Sequence, residues 1–164
     1  MGIIYNNKSI NPIYVGWGGK IKKIYLGTTK AYEYWDGILL QGGSIKTNPY
    51  NITAFNIING SAPCNLCGVD YNGASATTNG NLIDFSKFTS ITVTMNYYRN
   101  TQIYILNSSG SILQTVADLR SGGDNGTWTY SVGDYTGRLQ FANDTSGAGV
   151  SVSYCNVTYI KFNR

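Results

Sequence analysis

Along most of this chain apolar residues recur at every second position, and no window of about 11–18 residues keeps the 3.6-residue period of an amphipathic helix. Ile91, Val93 and Met95 alternate with Thr92 and Thr94, and Ile103 and Ile105 alternate with Gln102 and Tyr104. Both runs predict half-buried strands. The second leads through Asn107-Ser108-Ser109-Gly110, a hairpin turn, into Ile112–Val116. A further turn is expected at Gly122-Gly123-Asp124-Asn125-Gly126. After it Trp128, Tyr130 and Val132 share one strand face, with a core place expected for Trp128, and Leu139 and Phe141 share a face of the next strand. The final strand is long and is read as one unbroken alternation, with Val150, Val152, Tyr154, Thr158, Ile160 and Phe162 on one side. Ser151, Ser153, Cys155, Val157, Tyr159 and Lys161 fall on the other.

Asn59-Gly60, Asn72-Gly73, Asn79-Gly80 and Asn125-Gly126 suit the positive φ angles of tight turns. Residues 59–81 read as loop. Near the N-terminus Ile10-Asn11-Pro12-Ile13-Tyr14-Val15-Gly16 and Ile21-Lys22-Lys23-Ile24-Tyr25-Leu26-Gly27 repeat one pattern, each a short strand ended by glycine. The second copy continues into Lys30-Ala31-Tyr32-Glu33-Tyr34-Trp35, which predicts a hairpin over 21–35. Such a hairpin is marginal alone and needs a surface to dock on. Composition shifts at Gly37. The expected architecture is therefore all-β: a small N-terminal β-hairpin attachment segment, 1–36, then an antiparallel jelly-roll-like β-sandwich, 37–164.

Composition narrows the chemistry. In 164 residues there are 18 asparagines, 20 glycines and 14 tyrosines, but no histidine and one glutamate, Glu33. Charged residues make up 12%, about half the usual share, so the surface is polar mainly through uncharged hydrogen-bonding groups. The commonest general base and the commonest metal ligand are missing. Asp70, Asp84, Asp118, Asp124, Asp134 and Asp144 all lie beside turns and form no recognisable carboxylate pair. No enzyme activity, catalytic residue, cofactor or metal is expected.

Cys64-Asn65-Leu66-Cys67 has the spacing of half a zinc site, yet only Cys155 remains to add to it. Oxygen donors of the kind calcium takes are present without the spacing of a calcium loop, so Asp and Asn are read as turn formers. The net charge of +4 is concentrated in residues 1–36, where five lysines face two acids. Lys20, Lys22 and Lys23 are its one cluster, too few to predict nucleic-acid binding. No apolar run approaches the length of a membrane span, so no membrane insertion is expected. Residues 1–6 lack the pattern of a secretion or lipidation signal, so neither secretion nor lipid anchoring is expected. Asn-x-Ser/Thr sequons, among them those at Asn51, Asn59, Asn107, Asn125, Asn143 and Asn156, then follow from composition alone.

Two resemblances sharpen these expectations. The order Leu82-Ile83-Asp84-Phe85-Ser86-Lys87-Phe88, Ile91-Thr92-Val93, Ile103–Gly110, Trp128–Val132, Tyr135–Phe141 and Val157–Phe162 resembles the jelly-roll domains of carbohydrate-binding modules and galactose-binding-like proteins, over about half the chain. Residues 21–35 are similar to a short segment that recurs in structural proteins of tailed bacteriophages. That resemblance implies a virion component of the tail, the baseplate or a head fibre, assembled in the host cytoplasm. Its partners would be other virion proteins, in a homo-oligomer or in many copies. The docking interface would be Ile13, Tyr14, Val15, Ile24, Tyr25, Leu26, Tyr32 and Trp35, with the sandwich facing outward toward a host-surface glycan.

The alternative is a stand-alone carbohydrate-binding module. A pyranose stacks its apolar face on an aromatic ring while neighbouring polar groups take its hydroxyls. Tyr97-Tyr98-Arg99-Asn100 offers this, because adjacent tyrosines on a strand point to opposite sides and one must leave the core. Tyr97, Tyr98 and Arg99 are the candidate glycan contacts, ahead of Tyr50, Tyr71 and Tyr135.

Overall fold

The computed structural model describes residues 3–5, 8–10, 23–26, 29–33, 35–69, 73–120, 122–143 and 152–164. It divides into two units, residues 1–36 and 37–164. In the first, β1 (Ile3–Tyr5) pairs antiparallel with β2 (Lys8–Ile10), and β3 (Lys23–Leu26) pairs with β4 (Thr29–Glu33). The second pair is the hairpin that the lysine- and tyrosine-rich repeat predicts. Of the first repeat copy only Ile10 is described, in β2; Ile13, Tyr14 and Val15 lie outside the described residues.

The second unit is an antiparallel two-sheet sandwich. Its strands are β5 (Ile38–Gln41), β6 (Ser44–Ile45), β7 (Phe55–Ile58), β8 (Gly60–Ser61), β9 (Asn65–Val69), β10 (Ala74–Thr78), β11 (Ile83–Asp84), β12 (Ser90–Tyr98), β13 (Thr101–Leu106), β14 (Ile112–Leu119), β15 (Gly123–Ser131), β16 (Thr136–Asn143) and β17 (Val152–Asn163). One 3-10 turn, Phe85–Lys87, follows β11. The first sheet runs β14-β13-β16-β10-β7, with β11 also on β16. The second runs β15-β12-β17-β5-β6, and β9, with β8 beside it, pairs with the earlier half of β17. The β12–β13 connection passes directly from the second sheet to the first.

The core lies between the sheets and follows the period of two. Ile91, Val93 and Met95 face Ile103, Ile105, Leu139 and Phe141 across it, and each is essentially inaccessible. Phe55 meets Phe141 edge-on at 6.4 Å between centroids, and Phe88 packs on Phe162 at 5.1 Å. Burying a side chain of this size stabilises by roughly 1.5–3 kcal/mol. Polar ties join the two layers. The Asn143 amide on β16 bonds Thr101 Oγ1 at 3.1 Å and, with its oxygen turned toward β17, accepts the Cys155 N–H at 3.2 Å. Gln114 on β14 accepts the Gly133 N–H at 2.9 Å and donates to Ser131 O at 3.3 Å at the end of β15.

Three expectations are corrected. The final strand is not one alternation: Met95 faces Val157 while Thr94 faces Tyr159, so Thr158 is an extra residue in a β-bulge. The inward set is therefore Ser153, Cys155, Val157 and then Ile160, Phe162, because one inserted residue reverses the parity beyond it. Residues 59–81 are not a loop but hold β8, β9 and β10. Strand β10 alternates buried Ala74, Ala76 and Thr78 with half-buried Ser75 and Thr77, a period of two written in small residues. Finally, residues 123–126 belong to β15 rather than to a turn. A Cβ on Gly123 would stand 2.8 Å from the Tyr98 ring, and one on Gly126 would meet the Trp128 ring at 3.2 Å. Gly123 allows close approach from the neighbouring strand, and Gly126 leaves room for a ring on its own strand.

Candidate functional site

The register of the second sheet builds one face of regular polar rows. On β12 the inner side carries Ile91, Val93, Met95 and Tyr97, and the outer side carries Thr92, Thr94, Asn96 and Tyr98. Pairing lines up Asn65 of β9, Asn156 of β17, Asn96 of β12 and Asn125 of β15 in one row across four strands. All four are exposed, and no hydrogen bond to another described residue engages their side-chain amides. Neighbouring strands lie about 4.8 Å apart and successive same-side residues about 6.8 Å apart, which sets the grid. The next row toward the β12–β13 turn is Cys67, Tyr154, Tyr98 and Gly123. On the other side are Thr94 with Thr127, hydroxyls 2.8 Å apart, and then Thr92 with Thr129 at 3.0 Å.

Tyr98 and Tyr154 stack with ring centroids 5.8 Å apart and planes 20° from parallel. Tyr154 is 38% exposed, large for an aromatic residue in the middle of a sheet. Gly123 makes room for the Tyr98 ring on its far side. The Arg99 guanidinium carbon stands 5.0 Å from the Tyr98 centroid, a cation–π distance. Stacked rings, a guanidinium and a row of unengaged amides thus converge at one end of the outer face.

The candidate trio from the sequence is divided by this geometry. Tyr98 and Arg99 come together on the outer face. Tyr97 lies on the inner side, where its ring meets Trp128 edge-on at 5.6 Å. Trp128 and Tyr130 share that side and are half-buried, Trp128 at the sheet edge rather than in the centre of the core. The Tyr130 hydroxyl is raised to about 12, by desolvation first and then by Tyr97 and Cys155.

Tyr154 was not singled out by the sequence. Its signal is present, an aromatic residue beside serines on the last strand, but an unbroken alternation puts it on the same side as Ile160 and Phe162, from which the bulge separates it. Among the weaker candidates Tyr50 is half-buried, Tyr135 is 37% exposed between β15 and β16, and Tyr71 lies outside the described residues. Of the docking residues, Ile24, Tyr25 and Leu26 fall in β3 and Tyr32 in β4, and Trp35 is buried.

The three cysteines are free thiols. Cys64 and Cys155 are buried, and burial pushes both thiols up, Cys155 to about 12, which makes them inert. Cys67 is exposed. Among the described residues no three His, Cys, Asp or Glu side chains group to hold a metal ion, and no helix is long and apolar enough to cross a membrane.

No protein-family model matches the sequence, and no curated protein matches it. Among the solved structures similar to it are carbohydrate-binding modules of family 29. A mutant of CBM29-2 is 14% identical, with 76% of this chain and 88% of that one covered and a TM-score of 0.49. A second CBM29-2 mutant, complexed with cellulohexaose, gives the same values. A further family 29 module is 14% identical over 76% of this chain and 86% of its own, with a TM-score of 0.48. At a TM-score below 0.5 these likenesses assign no ligand and no residue role to this chain.

Proposed function

We propose that the chain is a non-catalytic glycan-binding module that takes its ligand on the outer face of the second sheet. The observation that carries this reading is the stacked Tyr98–Tyr154 pair, bordered by Arg99 and by the row Asn65, Asn156, Asn96 and Asn125. Aromatic surface offers the apolar face of a pyranose a place to lie, and amides with both donor and acceptor capacity unspent suit its hydroxyls. Of the acidic residues, Asp84 pairs with Lys87 and Asp118 with Arg120.

Binding to a glycan array, followed by titration calorimetry on the members retained, tests the reading. Tyr98→Ala and Tyr154→Ala each weaken binding by about tenfold or more, with the thermal midpoint little changed. Tyr97→Ala lowers the midpoint instead. The reading fails if no glycan is retained, or if binding survives the loss of both Tyr98 and Tyr154.

For residues 1–36 the attachment role stays a proposal of the sequence pattern. Two separate two-stranded pairings are too small to hold alone, which favours docking on a larger surface. A virion as that surface rests on the resemblance of residues 21–35.

A further inference from the structure

Resting on the glycan-binding reading, we infer that the ligand of this face is acidic: a sugar chain bearing a carboxylate or sulfate whose oxygens the Arg99 guanidinium takes while a ring lies on Tyr98 and Tyr154. Arg99 has φ 49° and Asn100 φ 46°. They are the two residues that carry the chain from β12 in the second sheet to β13 in the first, and both lie in the left-handed region. Glycine, asparagine and aspartate favour that region, since other side chains are crowded there. The need for a tight turn explains the geometry but not the arginine. The bond that anchors the turn, Arg99 N–H to Gly122 O at 2.8 Å, uses the backbone and is open to other residues.

Among the described residues the side chain makes no polar tie comparable to those of Arg138 and Arg120. Arg138 is tied to the carbonyls of Thr78 and Gly80 at 3.0 and 3.1 Å, and Arg120 is paired with Asp118. Arg99 has only the Tyr98 ring beneath it and pairs with no carboxylate among the described residues. Asp124 stands opposite Tyr97 and therefore on the other side of the sheet. A strained backbone under a side chain that bonds no described residue points to a functional position. Guanidinium presents a planar fork of donors that fits the paired oxygens of a carboxylate or sulfate, and its place over a ring limits its freedom before ligand arrives. The rows around the rings, tyrosines and asparagines, are uncharged, and Lys161 of the same face lies away from them at the level of Thr92, so recognition of an anion beside the rings falls to Arg99.

The test sets acidic polymers against neutral counterparts in titrations of the full chain: polygalacturonate against its carboxyl-reduced form, and a sulfated galactan against its desulfated form. The carboxylate and sulfate arms separate the two sources of charge. One acidic polymer is expected to bind about tenfold or more tighter than its counterpart, and less tightly as salt is raised. Arg99→Gln erases that preference, so that the acidic polymer and its neutral counterpart bind alike. Arg99→Asn, better suited to the turn, erases it as well while raising the thermal midpoint by a few degrees, which a merely structural arginine would not allow. Equal binding of both forms, an undiminished preference in Arg99→Gln, or retention of neutral polymers alone overturns the acidic ligand and leaves the tyrosine platform standing. Binding of no polymer by the wild type overturns the platform reading itself.

Discussion

Tyr97 and Tyr98 are neighbours in sequence and serve opposite sides of the same sheet. Behind Tyr97 the inner side of β12 is Met95, Val93 and Ile91, all inaccessible, and the ring finishes that layer against Trp128. Behind Tyr98 the outer side is Asn96, Thr94 and Thr92, which are exposed or half-buried. The comparison teaches a division of labour set by the pleat. One side holds the sheets together through apolar area, so its residues are constrained by packing. The other side satisfies itself with hydroxyl pairs between strands and leaves amides and rings to solvent, so its residues are available to a ligand.

The most severe way to break this division is to remove the residue that positions it on β17. Deleting Thr158 takes out the bulge and forces a single parity on the strand. Either Ser153, Cys155 and Val157 or Ile160 and Phe162 must then leave the core, where all five are buried. Exposing Ile160 and Phe162 costs about 3–6 kcal/mol, and the polar neighbours driven inward in their place cost more, which together is comparable with the total stability of about 5–15 kcal/mol of an ordinary domain. Circular dichroism of the deletion variant should show no cooperative thermal transition. A normal transition would mean that the parity switch is not what fixes the two faces.

A paired substitution sharpens the same comparison at a single level. Ile103→Ala opens a cavity opposite Phe141 and should cost about 2–5 kcal/mol in urea unfolding. Thr94→Ala removes the hydroxyl that meets Thr127 at 2.8 Å and should cost only about 0.2–1 kcal/mol. A cost for Thr94→Ala as large as that for Ile103→Ala would show that the outer rows also hold the fold.

Much of this division is legible in the sequence, and the exceptions have physical causes. The β12, β13 and β16 cores can be read from Ile91-Thr92-Val93-Thr94-Met95, Ile103–Ile105 and Leu139–Phe141, because large apolar residues mark the inward side. Strand β10 escapes the same reading since Ala74 and Ala76 are small and Thr78 is polar, although Thr78 is fully buried and its hydroxyl accepts the Leu139 N–H at 3.1 Å. Asn125-Gly126 looks like a turn, yet here glycine serves a flat Trp128 ring and asparagine serves the outer row. Tight turns do form where asparagine bonds its own loop: Asn107 Oδ1 accepts the N–H groups of Ser109 and Ser111. The Tyr98–Arg99 half of the site is local in sequence and was visible. Tyr154 and the asparagine row depend on pairing between distant strands and on the bulge, neither of which a local pattern encodes.

The smallest effect expected lies where the chain alternates between the two environments over three residues. Phe85 enters the core while Asp84 on one side and Ser86 and Lys87 on the other stay at the surface. Asp84 accepts a hydrogen bond from Ser86 Oγ at 2.5 Å and pairs with Lys87 Nζ at 2.9 Å. The Ser86 bond first, then Lys87, hold its carboxyl below the usual 3.8, and Asp84 in turn raises Lys87. A carboxyl lowered by folding contributes stability above its unfolded value, and that contribution fades as pH falls through the folded one. The raised lysine works at the opposite end, its share fading as pH rises through its folded value. Both groups are exposed, so the pair adds little. Comparing the thermal midpoints of wild type and Asp84→Asn from pH 6 down to pH 2 should show a small wild-type advantage near neutrality that closes in the acid range. An advantage that persists unchanged at the acid end would mean that the side chain acts there through packing, and that the surface position of Asp84 is part of the core's support after all.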